Sequence, residues 1–201
     1  MKLTRLFIDQ NLFGNASSDD SIAREIAEIA EKTGLTPEPV ADASQVYDMI
    51  NGAQDPIGLA KQLLFITANK GAVIRECPGT SHYTCCDYTI LHTGTFCTMD
   101  CSYCILQAYF HPPVLQYFAG LSTLAEALKP IFSGNKLLRI GTGEYTDSLI
   151  WEPITPMPAF LVDQFAGQNR AVLELKTKTV NVSSLLERDP AGKTILAWSV
   201  N

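Results

Sequence analysis

The chain has 201 residues, of which 46% are hydrophobic and 18% charged, so it can bury a sizeable core and does not have the composition of a disordered chain. A net charge of −6 argues against a basic surface that grips nucleic acid by counterion release. The N-terminal apolar run is too short for a signal peptide and is interrupted by Asp9, and no stretch approaches the ~18 apolar residues of a membrane span. A cytoplasmic protein with no membrane partner is therefore expected, and in that compartment the six cysteines read as ligands or reactive thiols rather than disulfides.

Residues 1–86 read as an N-terminal α/β lobe. The clearest helix covers 20–34. Ile22, Ile26 and Ile29 recur at helical spacing, Arg24, Glu25, Glu28 and Glu31 take the other face, and Gly34 suits a C-terminal cap. The runs 62–67 and 72–74 flank Asn69-Lys70-Gly71 and are predicted to pair as a hairpin. From Asp87 the rhythm changes. Strands are predicted at 88–92, 137–140, 171–175 and 194–200, with helices at 105–110, 121–132, 159–167 and 182–187. Such alternation implies a parallel sheet covered by helices. The last strand, apolar on both faces, runs into the C-terminus with nothing to pair its outer edge. Residues 87–201 are thus expected to be the front part, about four βα units, of a longer TIM-type barrel that is truncated here.

The segment Cys97-Thr98-Met99-Asp100-Cys101-Ser102-Tyr103-Cys104 spaces three thiols as C-x₃-C-x₂-C on one short loop. Three thiolates can hold three irons of a [4Fe–4S] cubane and leave the fourth open to a substrate or cofactor, whereas electron-transfer clusters normally have four cysteines. The loop follows a predicted strand, which puts it at the carboxyl end where α/β barrels place their chemistry. A zinc site completed by Cys77, Cys85, Cys86 or a histidine is the alternative, although zinc prefers four ligands in paired C-x₂-C arrangements. Three unrelated buried thiols are the bland reading. For Cys77, Cys85 and Cys86 buried structural thiols are the default, with a second metal site or a redox role as the alternative. His82, His92 and His111 lack ligand spacing and receive no chemical role.

The cysteine spacing has the pattern of the radical S-adenosylmethionine (SAM) superfamily. Together with Cys77-Pro78-Gly79-Thr80, Tyr83 through Tyr88, and Leu106-Gln107-Ala108-Tyr109 running on to Pro113, it resembles the spore photoproduct lyase family over residues 60–201. The resemblance implies a partial barrel of radical SAM type. It also implies a [4Fe–4S] cluster on Cys97, Cys101 and Cys104, SAM as co-substrate, and an electron donor of flavodoxin or ferredoxin type. One electron would split SAM into methionine and a 5′-deoxyadenosyl radical that takes hydrogen from substrate. The family substrate is a thymine-dimer lesion in DNA, which this chain would contact through a C-terminal part that it lacks.

Position by position, Gly141-Thr142-Gly143-Glu144 looks like the family's SAM-binding motif, with Gly143 and Glu144 at the methionine ammonium. Lys178 resembles a lysine on the SAM carboxylate, Ser199 a serine on the nucleoside side, and Tyr103 a tyrosine implicated in radical relay. Without the cysteine loop, Lys178 and Ser199 would read as a solvated lysine and a polar strand residue. Two departures matter. Ile105 stands where the characterised lyase has a second tyrosine, and Glu144-Tyr145-Thr146-Asp147 holds no cysteine where that lyase keeps its hydrogen donor. The competing classes are a zinc-stabilised binding module and a plain iron–sulfur electron carrier without SAM chemistry.

Overall fold

The computed structural model describes residues 2–14, 20–79, 81–84 and 86–200. Thr80 and Cys85 of the cysteine-containing run lie outside them. In chain order the elements begin with β1 (Arg5–Asp9), α1 (Asn11–Gly14), α2 (Asp20–Thr33), β2 (Pro37–Val40), α3 (Ala43–Asn51) and α4 (Pro56–Ala60). Next come β3 (Leu63–Thr67), β4 (Ile74–Glu76), β5 (Tyr88–Leu91), β6 (Gly94–Thr95), α5 (Leu106–Tyr109) and β7 (Leu115–Phe118). The chain continues with α6 (Leu121–Phe132), β8 (Leu138–Gly141), α7 (Met157–Ala166), β9 (Ala171–Thr177) and β10 (Thr194–Trp198). It divides into two compact units that interleave in sequence: residues 1–70 with 93–120, and residues 71–92 with 121–201. The sequence boundary expected at 86/87 falls inside the second unit, between β4 and β5.

The first unit is built on the sheet β2-β1-β3-β7-β6, in which all pairs are parallel except β6 with β7. All five residues of β3, Leu63 to Thr67, are buried, as expected of a central strand covered on both faces. The predicted hairpin between 62–67 and 72–74 does not form. β3 pairs with β1 and β7, while β4 pairs antiparallel with β5 in the other sheet. A strand apolar on both faces gains more from two parallel neighbours than from a hairpin partner on one side. Helix α2 ends as expected, at Gly34 with φ +67° and its N–H bonded to the Ala30 carbonyl at 2.9 Å. Glu25, expected on its polar face, is instead 4% exposed and accepts hydrogen bonds from the Tyr117 hydroxyl and, at 2.9 Å, from the Gly120 N–H.

The second unit carries the sheet β10-β9-β8-β5-β4, with β5, β8, β9 and β10 mutually parallel, so the expected parallel sheet is present. One face is the apolar core. Ile140, Leu173 and Leu175 are fully buried there, α7 packs on β9 and β10, and Phe165 meets Phe132 of α6 edge-on at 5.2 Å. The other face is polar. The register lines up Tyr88 with Arg139 and Gly141 with Glu174, so these side chains and Lys176 share it. Arg139 and Lys176 lie over the Tyr88 ring at 5.0 and 5.3 Å and pair with the buried Glu174 at 3.6 and 3.1 Å. Gly141 makes room, since a Cβ there would fall 1.6 Å from the Tyr88 hydroxyl oxygen. Burial, then the Glu174 carboxylate, pushes the Tyr88 phenol up to about 12. Residues 182–187, predicted helical, form hydrogen-bonded turns, with Leu185 and Leu186 both bonded back to Val182.

Glu25 ties α2 to β7 through a buried carboxylate, and its loss removes an acceptor from the Tyr117 hydroxyl and from the Gly120 N–H. Glu25→Ala should lower the unfolding free energy by about 3 kcal/mol, and Glu25→Gln by less, because the amide keeps an acceptor. Urea unfolding of the two variants beside the parent chain checks the order.

Candidate functional site

The three loop cysteines are presented by a short, locally braced turn in the first unit. The antiparallel β6 intervenes between the parallel strand β5 and the loop, so the loop does not leave β5 directly as the sequence suggested. Phe96 enters the loop at φ +66°, a conformation that costs a non-glycine residue, and anchors it by burial to 1% exposure. Its ring meets Phe110, beyond the loop, edge-on at 6.4 Å. Inside, the Cys104 N–H bonds to the Cys101 carbonyl at 3.0 Å, and the Gln107 amide reaches the same oxygen at 3.5 Å. Tyr103 is 60% exposed.

The donor set suits a cubane. Cys97, Cys101 and Cys104 are half-buried and none forms a disulfide. The Met99 N–H donates to the Cys97 sulfur at 3.4 Å, the kind of bond that stabilises a thiolate and tunes a cluster. Among the described residues no three His, Cys, Asp or Glu side chains stand close enough to share one metal ion. A cubane does not ask this of its cysteines, because each thiolate takes its own iron.

Gly143, Glu144, Lys178 and Ser199 belong to the second unit, where the carboxyl ends of β8, β9 and β10 lie side by side. Asp147 fastens the first of these ends to the second. Its carboxylate accepts from the Leu149 N–H at 2.9 Å, the Thr177 hydroxyl at 2.8 Å and the Lys178 N–H at 2.7 Å, which clamps the loop after β8 onto the end of β9. The Ser148 N–H adds a bond to the Lys176 carbonyl at 3.0 Å. Lys178 then reaches β10, its ammonium donating to the Ser199 carbonyl at 2.8 Å, while the Ser199 N–H bonds to the Thr177 carbonyl at 2.9 Å. Gly143 is closely packed, with Ser148 Oγ and Lys176 Cβ 3.1 and 3.2 Å from where a Cβ would stand, so a side chain there would have to push them aside.

Glu144 is not idle. It pairs with Arg75 of β4, whose guanidinium also donates to the Tyr145 hydroxyl at 2.7 Å and to His92 Nε2 at 2.6 Å. His92 Nε2 stands 4.0 Å from the Glu144 carboxylate, and its ring packs on Tyr145 at 5.2 Å. Burial first, then the neighbouring Arg75 charge, hold His92 below its usual value against the opposing pull of Glu144. Because Nε2 accepts from Arg75, the neutral ring carries its proton on Nδ1. Arg75, His92 and Asp147 are residues that sequence reasoning missed. Arg75 and Glu144 lie 69 residues apart, so only pairing of β4 with β5 beside β8 brings them together. Asp147 bonded to the N–H two residues on is a recognisable Asx turn, and that much was visible in sequence. Cys77 is half-buried, but Cys86 is exposed and accepts a hydrogen bond from Arg139 at 3.3 Å, so it is not the buried structural thiol expected.

Parallel sheets with helical crossovers, one bearing a braced loop of three unbridged thiols, define an α/β architecture. Solved structures of spore photoproduct lyase share this fold. A doubly substituted form with bound AdoMet and dinucleoside spore photoproduct aligns over 100% of this chain at a TM-score of 0.79 and 14% identity. A singly substituted form aligns over 100% at 0.78 and 17% identity, and a complex with dinucleoside spore photoproduct over 98% at 0.74 and 14%. The chain spans 57% of the length of the first two. No protein-family model matches the chain, and no curated protein matches it in sequence. No described helix is long and apolar enough to cross a membrane.

The depressed His92 carries a pH signature. Below its ordinary value of 6.5 the unfolded chain takes up this proton more readily than the folded one. The associated stability is complete above about pH 6.5 and is lost as pH falls through the folded value. His92→Asn should therefore flatten the decline of unfolding free energy between about pH 7 and 5. Denaturation at several pH values, with the two slopes compared, is the check.

Proposed function

We propose that this chain is a radical SAM protein, with Cys97, Cys101 and Cys104 as ligands of a [4Fe–4S] cluster. The observation that carries the reading is the C-x₃-C-x₂-C loop on a fold shared with spore photoproduct lyase, one of whose structures contains AdoMet. When bound, the cluster would supply the electron that cleaves SAM reductively to methionine and a 5′-deoxyadenosyl radical. The chain's own residues would do the rest. Gly143, which has no side chain of its own, would leave its backbone open to the methionine ammonium, and Glu144 would share its carboxylate between that ammonium and Arg75. Lys178, already drawn to the end of β10, would offer its charge to the SAM carboxylate, and Ser199 would face the nucleoside. Tyr103, exposed beside Cys104, would be the residue of radical relay.

A lesion of the spore photoproduct kind in DNA is the substrate class that this reading favours, since neighbouring structures hold dinucleoside spore photoproduct. Residues 144–147 offer Tyr145 but no thiol as hydrogen donor, and a phenol is the poorer donor. The radical-generating step is therefore the part proposed for this chain by itself.

Anaerobic reconstitution with iron and sulfide, then dithionite and SAM, should yield about four irons per chain and 5′-deoxyadenosine by chromatography. Cys101→Ala should abolish both. Glu144→Ala should keep the iron but raise the SAM concentration for half-maximal cleavage about tenfold, for loss of a charge-assisted contact. A fully loaded parent chain that releases no 5′-deoxyadenosine sinks the proposal.

A further inference from the structure

The cysteine loop has a holder outside itself. Lys61 follows α4 directly, its N–H bonded to the Ile57 carbonyl at 3.2 Å, and precedes the central strand β3. Helix α4 is pinned at its start by Asp55, whose carboxylate accepts from the Gly58 N–H at 2.9 Å, and carries Pro56 in its first turn. The Lys61 backbone is thus fixed on both sides. Its side chain is 10% exposed, unusual for a lysine, so the ammonium has given up most of its water. What replaces that water comes from the loop: the Met99 carbonyl at 3.0 Å and the Asp100 carboxylate. Both acceptors fall between the first two cysteines. Asp100 is 87% exposed, so solvent screens its share of the pair, and the Met99 carbonyl is the stronger anchor.

We propose that Lys61 is the positioning residue of the cysteine loop, and through it of the group the cysteines hold. Residue 99 is the link. Its carbonyl accepts from Lys61, and its N–H donates to the Cys97 sulfur at 3.4 Å. Fixing the carbonyl fixes the peptide plane after the Met99 Cα and so restrains the plane before it, which carries the N–H aimed at the ligand sulfur. A positive charge beside the loop also favours the reduced, more negative state of a cluster bound there. Lys61 touches no cysteine, so its action is indirect. The second half of the proposal rests on the reading of Cys97, Cys101 and Cys104 as cluster ligands. The first half does not.

The test uses the full chain as parent, Lys61→Met and Lys61→Arg. In metal-free protein, iodoacetamide labelling is followed peptide by peptide at Cys97, Cys101 and Cys104, with Cys77 in the other unit as an internal control. A loop released by Lys61→Met should label about fivefold faster at pH values where all three thiols are ionised, with Cys77 unchanged and Lys61→Arg close to the parent. In reconstituted protein the same variant should lose iron faster in air and show a more negative midpoint in an EPR-monitored redox titration. Should Lys61→Met not fold, Lys61→Gln, which keeps a donor for the Met99 carbonyl, is compared with Lys61→Ala instead. Equal labelling in parent and folded variant overturns the positioning role. A parent that binds no iron sinks the cluster reading alone, because the labelling still decides Lys61. Equal iron retention and midpoint in a loaded pair overturn the proposed effect on the bound group.

Discussion

Two parallel strands cannot pair until the chain between them has been carried back to the starting edge of the sheet, and this geometric demand governs the second unit. It forces α7 and the turns at 182–187 to return the chain, and it brings the carboxyl ends of β8, β9 and β10 to one edge. Gly143, Lys178 and Ser199, spread over more than fifty residues, become neighbours for that reason alone. The Asp147 carboxylate then converts proximity into fixed geometry, with three donors from two loops on its two oxygens. A side chain that is neither nucleophile nor ligand decides where the more conspicuous residues stand.

The same sheet shows how a polar face is made tolerable. Glu174, 5% exposed, would be costly alone, but Arg139 and Lys176 stand on either side and lie over the Tyr88 ring. Tyr88 reaches across because position 141 is glycine. That glycine belongs to the segment which sequence reading assigned to ligand binding. In the fold its first duty is packing. Glu144 is comparable: its carboxylate is held by a guanidinium from β4, and the pair keeps both charges satisfied beside the half-buried His92 and Tyr145.

The cysteine loop follows a different logic, because its bracing is mostly local. Phe96 and Phe110 close its base, the Cys104 N–H closes its last turn, and the Met99 N–H meets the first sulfur. Local bracing suits a loop whose three cysteines sit within eight residues, since little chain must be ordered to bring them into one region. The long-range contact from Lys61 adds the orientation that local contacts leave free.

Much of the fold was legible in the residues. Helix α6 begins and ends where its periodicity placed it, and β5, β8, β9 and β10 lie within a few residues of the apolar runs that announced them. The thiol spacing and the glycine–glutamate segment were equally plain, being short-range patterns set by covalent connection. What the sequence reading got wrong depended on partners distant in the chain. Whether 62–67 would pair with 72–74 or with β1 and β7, whether Glu25 would face water or Tyr117, and whether His92 would be idle or wedged against Arg75 were questions about neighbours, and a neighbour contributes only once the sheets have assembled. Spacing along the backbone determined which groups could act together. Desolvation and register, which exist only in the folded chain, decided which of them are held in place and by what charge.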